Sequence, residues 1–326
     1  MAEINLVEAI NLALAWEMAH DDSVMVLGED VGVNGGVFRA TVGLQQRFGP
    51  DRVLDTPLAE SGIAGVAVGM AAMGLKPVAE IQFSGFIYPT MDHMVNHASR
   101  LRNRTRGRLT CPMVLRSPSG AGIHAPEHHS EANEAMFAHV PGLRVVMPSS
   151  PSRAYGLLLA AIRDPDPVVF LEPTRLYRLF RQSVEDNGAA LPLDACFTER
   201  EGTDVTLVSW GAMMHETLKA AEELASQGVS ADVIDVATLK PLDMSTILES
   251  VSKTGRCVVV HEAARTAGFG AEIAANVGGE ALTSLLAPVQ RVTGYDTVVP
   301  LARLEHEYLP SVERIVAAAR TALEWS

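Results

Sequence analysis

A single carboxylate, Glu60, stands at the start of a segment that is otherwise rich in glycine and small aliphatic residues. Gly62, Gly65 and Gly69 recur at helical spacing, so one face of the predicted helix lacks side chains and a neighbour can approach to backbone distance. A carboxylate beside such an apolar face is poorly solvated, and a poorly solvated carboxylate can share a proton with a weakly basic group of a ligand. The spacing alone favours a simpler interpretation, in which an acid in the first turn matches the helix dipole.

A glycine-rich loop, Gly120–Glu131, concentrates further ionisable groups. His124, Glu127 and His128 match the H-x-x-E-H pattern of some zinc peptidases, but that pattern needs a continuous helix. Pro126 lies inside the pattern and would break such a helix, so zinc binding is not expected. The alternative is a flexible active-site loop that carries a proton-transfer histidine.

A third segment, Ala79–Pro89, reads as the end of a strand followed by a loop or helix. In an open α/β sheet this is a common place for ligand contacts. Phe83 and Phe86 could present an aromatic ring to a ligand. On the residues alone, packing in the core is the preferred role for both rings.

Composition limits the class of protein. The 326 residues suffice for two domains, and 48% of them are hydrophobic. The formal net charge of −13 disfavours nucleic acid as a partner. No apolar run approaches the roughly 20 residues of a membrane span, and no signal peptide is apparent. Three cysteines far apart in the sequence favour a reducing compartment, and we expect the cytoplasm of a bacterium.

The hydrophobic pattern alternates between helical and strand periods, which predicts an α/β fold with mainly parallel sheets. The alternation weakens from Glu172 to Thr203, where polar residues and prolines predict a connector. A second alternating segment follows. The sequence therefore predicts two α/β domains, at residues 1–185 and 204–326, joined by a linker at 186–203.

Several motifs taken together resemble the beta subunit of thiamine-diphosphate-dependent 2-oxo acid dehydrogenases, the pyruvate and branched-chain decarboxylase components. The resemblance covers nearly the whole chain. It rests on the segments Gly35–Arg39, Asp55–Gly69, Ala79–Phe83, Arg116–Pro118, His129–Ser130, Pro141–Val146, Thr254–Arg256 and His261–Ala263. It implies a pyrimidine-type thiamine-diphosphate-binding domain followed by a transketolase C-terminal-like domain.

The resemblance also implies roles for individual residues. Glu60 would hydrogen-bond the aminopyrimidine ring of thiamine diphosphate and favour its imino tautomer. Phe86 would pack against that ring, with Leu58 and Gln82 nearby. His129 would help bind the 2-oxo acid and assist acyl transfer to a lipoyl group, although the adjacent His128 stays an alternative. Branched-chain members tend to carry Tyr at the position of Phe86, which favours pyruvate slightly.

One expected motif is missing from the chain. Thiamine-diphosphate enzymes hold Mg²⁺ and the diphosphate with a Gly-Asp-Gly motif and a later Asn. This sequence contains no Gly-Asp pair. The resemblance implies that a separate alpha subunit supplies that half of the site, in an α2β2 heterotetramer.

Two further expectations follow from the resemblance. The family often binds a potassium ion, here at the positions of Ala161, Ile162, Asp164 and Asp166. The C-terminal region would dock the lipoyl acyltransferase core subunit. Three alternatives remain open: a branched-chain 2-oxo acid dehydrogenase, another split thiamine enzyme such as a transketolase-like subunit, and a non-catalytic α/β scaffold.

Overall fold

The computed structural model describes residues 2–325, which form two compact units. One unit contains the chain up to Ser119 together with Met136–Leu193. The other contains Gly120–Ala135 and the chain from Asp194 onward. Both units are α/β with mainly parallel sheets, which confirms the predicted fold class. Within the predicted first domain, the segment Gly120–Ala135 clusters with the second unit.

The regular elements follow one another in the predicted alternation. The strands are β1 (Ala2–Ile4), β2 (Val24–Gly28), β3 (Val53–Asp55), β4 (Lys76–Glu80), β5 (Val114–Ser119), β6 (Arg144–Val146), β7 (Val168–Pro173), β8 (Gln182–Val184), β9 (Phe197–Arg200), β10 (Val205–Ser209), β11 (Ala231–Asp235), β12 (Thr238–Lys240), β13 (Cys257–Ala264) and β14 (Gln290–Gly294). The α-helices are α1 (Leu6–His20), α2 (Leu44–Phe48), α3 (Glu60–Ala72), α4 (Met91–Asn96), α5 (Leu101–Arg104), α6 (Glu134–Ala138), α7 (Pro151–Arg163), α8 (Met213–Ser226), α9 (Met244–Thr254), α10 (Gly270–Glu280), α11 (Glu305–Tyr308) and α12 (Val312–Leu323). Short 3-10 helices cover Ser84–Thr90, Ala98–Arg100, Glu127–His129 and Thr174–Leu176.

The strands of the first unit form a parallel sheet in the order β6-β7-β5-β4-β2-β3. Its central strands are largely buried, and β5 and β7 are buried over their whole length. A strand covered on both faces tends to be a continuous apolar run, as in the first four residues of β7, whereas β5 also buries Arg116 and Ser117. Strand β1 pairs antiparallel with β8 in a separate two-stranded sheet.

The second unit has a five-stranded sheet in the order β14-β13-β10-β11-β9. All pairs are parallel except the edge pair of β9 with β11. Strands β8 and β9 lie in the stretch predicted as a polar connector. Each has only three or four residues, too few to give a period in the sequence.

Helix starts follow local chemistry. Asn5 and Glu8 form a capping box at α1, and Ser150 and Ser311 accept bonds from the first turns of α7 and α12. Among residues 2–325, no helix is long and apolar enough to cross a membrane.

Candidate cofactor site and catalytic loop

Three neighbouring parallel strands of the first unit end beside the predicted cofactor residues. Strand β2 lies between β3 and β4 in the sheet. Glu29 directly follows β2, Glu60 lies five residues after β3 ends, and Gln82 lies two residues after β4 ends. Ligands of open α/β sheets bind outside the carboxyl ends of the strands. The topology therefore brings these side chains to one edge of the sheet.

Glu60 is the first residue of α3 and is partly exposed. Ala59 precedes it and offers no side-chain cap to the first-turn N–H groups. The carboxylate thus sits at the positive end of the helix dipole. Its partial exposure leaves it accessible to a ligand in this subunit.

Glu29 is a site residue that the sequence did not single out. Its pKa is raised, first by burial and then by the nearby negative charges of Asp30 and Glu60. Gln82 donates from Nε2 to the Glu29 carbonyl and to Oδ2 of Asp30, both at 3.4 Å. Two carboxylates, Glu29 and Glu60, are therefore close enough to interact. The signal in the sequence was an acidic pair directly after an apolar strand run.

Leu58 and Phe86 supply apolar surface at the same edge. The Leu58 side chain is 65% exposed, and Phe86 is partly exposed in the 3-10 helix Ser84–Thr90. Phe86 meets Phe83 edge to face with ring centroids 5.9 Å apart, and Phe83 meets Phe38 at 5.6 Å. Phe83 and Phe86 are therefore only partly buried, and both keep exposed surface, so packing in the core accounts for only part of their surface.

A buried ionic network underlies this edge. Arg116, 1% exposed, binds Glu172 through two N–H donors at 2.6 and 3.1 Å, and it binds Glu80 at 2.8 Å. The Tyr177 hydroxyl also donates to Glu172, at 2.6 Å. Burial raises the pKa of Glu80, although the charge of Arg116 opposes the rise. With Phe38 and Ser117, these residues line a small cavity of about 10 Å³.

The glycine face of α3 is partly filled from within the unit. A Cβ on Gly65 would lie 3.0 Å from the His93 ring of α4, so glycine allows this close packing. Gly62 and Gly69 stay exposed, and Val66 between them is 56% exposed. Only part of this face therefore stays open for the close subunit packing expected from the sequence.

The predicted catalytic histidine lies in the second unit. His129 is partly buried at the end of the 3-10 helix Glu127–His129, whereas His128 is exposed. Their rings are 3.9 Å apart. Burial, reinforced by His128, lowers the pKa of His129. At neutral pH the His129 ring is therefore neutral and can accept a proton.

His124 does not share a helix with His128. Its backbone is left-handed, with φ of 60°, and its Nδ1 lies 3.0 Å from Oε2 of Glu305. The residues from Ala121 to Pro126 form no helix. The resemblance to H-x-x-E-H zinc helices is therefore confined to the sequence.

The predicted potassium residues cluster where α7 ends. Ala161 and Ile162 are buried in its last turn, whose carbonyls have no partner within a helix. The Asp164 carboxylate pairs with Arg144 at 2.9 Å, and Asp166 pairs with Arg102 at 2.7 Å. Both acids thus have a cation already, so a potassium ion there would depend mainly on backbone carbonyls.

A different set of potential metal ligands lies around α4. Ligand atoms of Asp92, His93 and His97 lie within 4.8 Å of one another around α4. The Asp92 carboxylate already accepts a hydrogen bond from the Asn96 side chain at 2.7 Å.

Comparison with protein families covers both units. Residues 2–179 match the transketolase pyrimidine binding domain, and residues 195–315 match the transketolase C-terminal domain. The chain is 50% identical over 325 residues to the pyruvate dehydrogenase E1 component subunit beta of Bacillus subtilis (strain 168), covering 100% of both chains. It is 52% identical over 320 residues to the same subunit of Acholeplasma laidlawii, covering 98% of both.

The chain belongs to the pyruvate dehydrogenase E1 beta subunit family. This confirms the resemblance stated from the sequence. A solved structure described as a split gene transketolase, an inactive beta4 tetramer, superposes with a TM-score of 0.82 and covers 99% of each chain. At 22% identity it supports the fold alone.

Proposed function

We propose that this chain is the beta subunit of a pyruvate dehydrogenase. With an alpha subunit it would decarboxylate pyruvate oxidatively on thiamine diphosphate and transfer the acetyl group to lipoamide. The observation that supports this most is the convergence of Glu29, Glu60 and Gln82 at the carboxyl ends of three adjacent strands. This convergence supports a ligand site at that edge of the sheet. The chain is also about half identical, over nearly the full length of both chains, to relatives named for this activity.

Glu60 is the residue to which we assign cofactor activation. Thiamine diphosphate, when bound, supplies the nucleophilic carbon needed to cleave a 2-oxo acid. The chemistry of this chain fits the pyrimidine half of that cofactor, because a carboxylate and a carboxamide can hydrogen-bond ring nitrogens. Glu60 would hold a proton shared with the ring, and Glu29, whose pKa is raised by burial and by the charges of Asp30 and Glu60, lies close to it. Gln82 would complete the polar wall.

Leu58 and Phe86 are assigned to apolar contact with the ring. Their exposed surfaces are available to a flat ligand, and aromatic side chains prefer offset or edge-on contact with such rings. His129 is assigned to the 2-oxo acid and to acyl transfer. Its lowered pKa keeps the ring neutral near pH 7, so it can accept a proton and return it.

The remaining partners are part of the same proposal. The lack of a Gly-Asp pair supports an alpha subunit that holds Mg²⁺ and the diphosphate in an α2β2 heterotetramer. Docking to a lipoyl acyltransferase core and a potassium ion at Ala161, Ile162, Asp164 and Asp166 remain predictions. The bacterial relatives support the predicted location in a bacterial cytoplasm.

The test is co-expression with the candidate alpha subunit and measurement of dye reduction that depends on a 2-oxo acid. Thiamine diphosphate and Mg²⁺ are present, and pyruvate is compared with 2-oxoisovalerate. We expect activity only with both chains and a preference for pyruvate. Preference for 2-oxoisovalerate would instead identify a branched-chain enzyme.

Glu60→Gln tests the assigned role of the carboxylate. The amide keeps the size of the side chain but cannot take up the proton, so we expect turnover to fall at least about 100-fold. Glu313→Gln is the matched control, because Glu313 also occupies the first turn of a helix and is exposed. Normal turnover of Glu60→Gln would refute the role, and a stable but inactive wild-type complex would favour the scaffold.

A further inference from the structure

The loop Gly120–Glu131 bends through three left-handed residues in its first half. Gly120 has φ of 86°, Gly122 of 99° and His124 of 60°. Glycine tolerates this backbone conformation, but a histidine does not adopt it without compensation from its surroundings. Contacts to the backbone around His124 therefore bear on whether the bend is stable.

Glu305 provides that compensation from the start of α11, 183 residues further along the chain. It is 2% exposed. Its Oε1 accepts the backbone N–H of Gly122 at 2.8 Å, and its Oε2 accepts that of His124 at 3.1 Å. The His124 ring also reaches Oε2, at 3.0 Å. Backbone N–H groups in such a turn form a concavity for an anion, and here the anion is a side chain of the same unit.

The second half of the loop is held by its own backbone. Gly120 N–H bonds to the Glu131 carbonyl at 3.0 Å and closes the two ends of the loop. His129 N–H bonds to the Pro126 carbonyl at 2.9 Å, and the hydroxyl of buried Ser130 bonds to the same carbonyl at 3.1 Å. The bend that precedes these bonds is the part of the loop that Glu305 contacts, and His129 follows it five residues after His124.

We infer that Glu305 is a positioning residue, which holds the 120–131 loop so that His129 meets the 2-oxo acid or its acyl group. The inference rests on the proposed role of His129. Each carboxylate oxygen serves a different N–H donor, and charge-assisted bonds of this kind are stronger than neutral ones. An amide at this position offers one acceptor and turns an NH2 group toward the second backbone N–H.

Glu305→Gln in the complete complex with the alpha subunit is the decisive variant. We expect kcat for pyruvate-dependent dye reduction to fall about tenfold or more, while thiamine diphosphate affinity changes less than about twofold. Glu307→Gln is the control, because Glu307 is two residues away, 73% exposed in its side chain and paired only with His306 in the contacts described. Its kcat should stay within about twofold of the wild type.

A double variant separates positioning from general destabilisation. If Glu305 acts through His129, then Glu305→Gln should cause no further loss of kcat in a His129→Ala background. Additive losses would overturn the inference. Glu305→Asp keeps two acceptor oxygens, so it should recover part of the activity that the amide loses.

Hydrogen exchange tests the contacts without relying on activity. In the wild-type complex the Gly122 and His124 amides should exchange slowly, and in Glu305→Gln they should exchange at least about tenfold faster. Fast exchange in the wild type would refute the anchor even if the variant failed to fold. Absence of 2-oxo acid turnover in the wild type would instead refute the proposed function and leave this measurement valid.

Discussion

The buried His261 makes the stability of the second unit depend on pH. Its ring is stacked on Trp210, with centroids 5.2 Å apart, and is 0% exposed. Gly268 and Gly270 approach it so closely that a Cβ on either would lie 2.6 Å from a ring carbon. Burial, with a smaller contribution from the positive charge of Arg291, lowers the pKa of His261 from 6.5 to about 4.

The sign and size of the effect follow from that shift. As pH falls below 6.5, His261 is protonated in the unfolded chain, whereas in the folded unit it is protonated only near pH 4. The stabilisation is therefore complete above pH 6.5 and is lost as pH falls. This lowering of the pKa from 6.5 to about 4 corresponds to a limit of about 3 kcal/mol, of which roughly 2 kcal/mol is lost by pH 5.

The assay is urea unfolding at pH 7.5 and at pH 5, followed by tryptophan fluorescence, since Trp210 contacts the histidine directly. Wild type is compared with His261→Gln, which cannot be protonated. The free energy of unfolding should drop by roughly 2 kcal/mol more in the wild type than in the variant. His306→Gln, a change at a side chain 72% exposed, controls for loss of a surface imidazole. Equal drops in wild type and His261→Gln would refute the reasoning.

Two other features of the interior, the Arg116 ion pairs and the buried cysteines, give predictions that can be tested separately. Arg116→Met leaves two buried carboxylates without their cation and should lower the free energy of unfolding by about 3–5 kcal/mol. The control Arg102→Met changes a side chain that is 45% exposed and should lower it by at most about 1 kcal/mol. Equal losses in denaturant titrations of the two variants would contradict this prediction. Burial raises the pKa of Cys111 and Cys257 to about 12, so both should resist iodoacetamide at pH 8 until the protein unfolds, and mass spectrometry of native samples should find them unmodified.

Much of the fold is readable in the sequence because its signals are local. The apolar run that predicts β7 is continuous over Val168–Leu171, since that strand is buried along both faces, whereas only the start of β5 lies in an apolar run. The glycine pattern after Glu60 marks the start of α3 correctly. The polar stretch 173–203 shows the limit of this approach, because β8 and β9 are too short to produce a period.

The candidate site was likewise predictable only in part from the sequence. The residue types and the family resemblance were sufficient to choose Glu60, Gln82, Phe86 and His129 as candidates. They did not reveal that Glu29 lies near Glu60, because only the pairing of adjacent strands brings the two carboxylates together.

Long-range contacts are what only the tertiary structure decided. The segment Gly120–Ala135 joins the second unit although the first unit surrounds it in the sequence. Glu305 binds its backbone across 183 residues, and no local pattern encodes a bond between a side chain and a distant N–H group. Periodicity and capping act over a few residues and so determined the elements, whereas the solvation and pairing of each buried charge depend on what the folded chain packs around it.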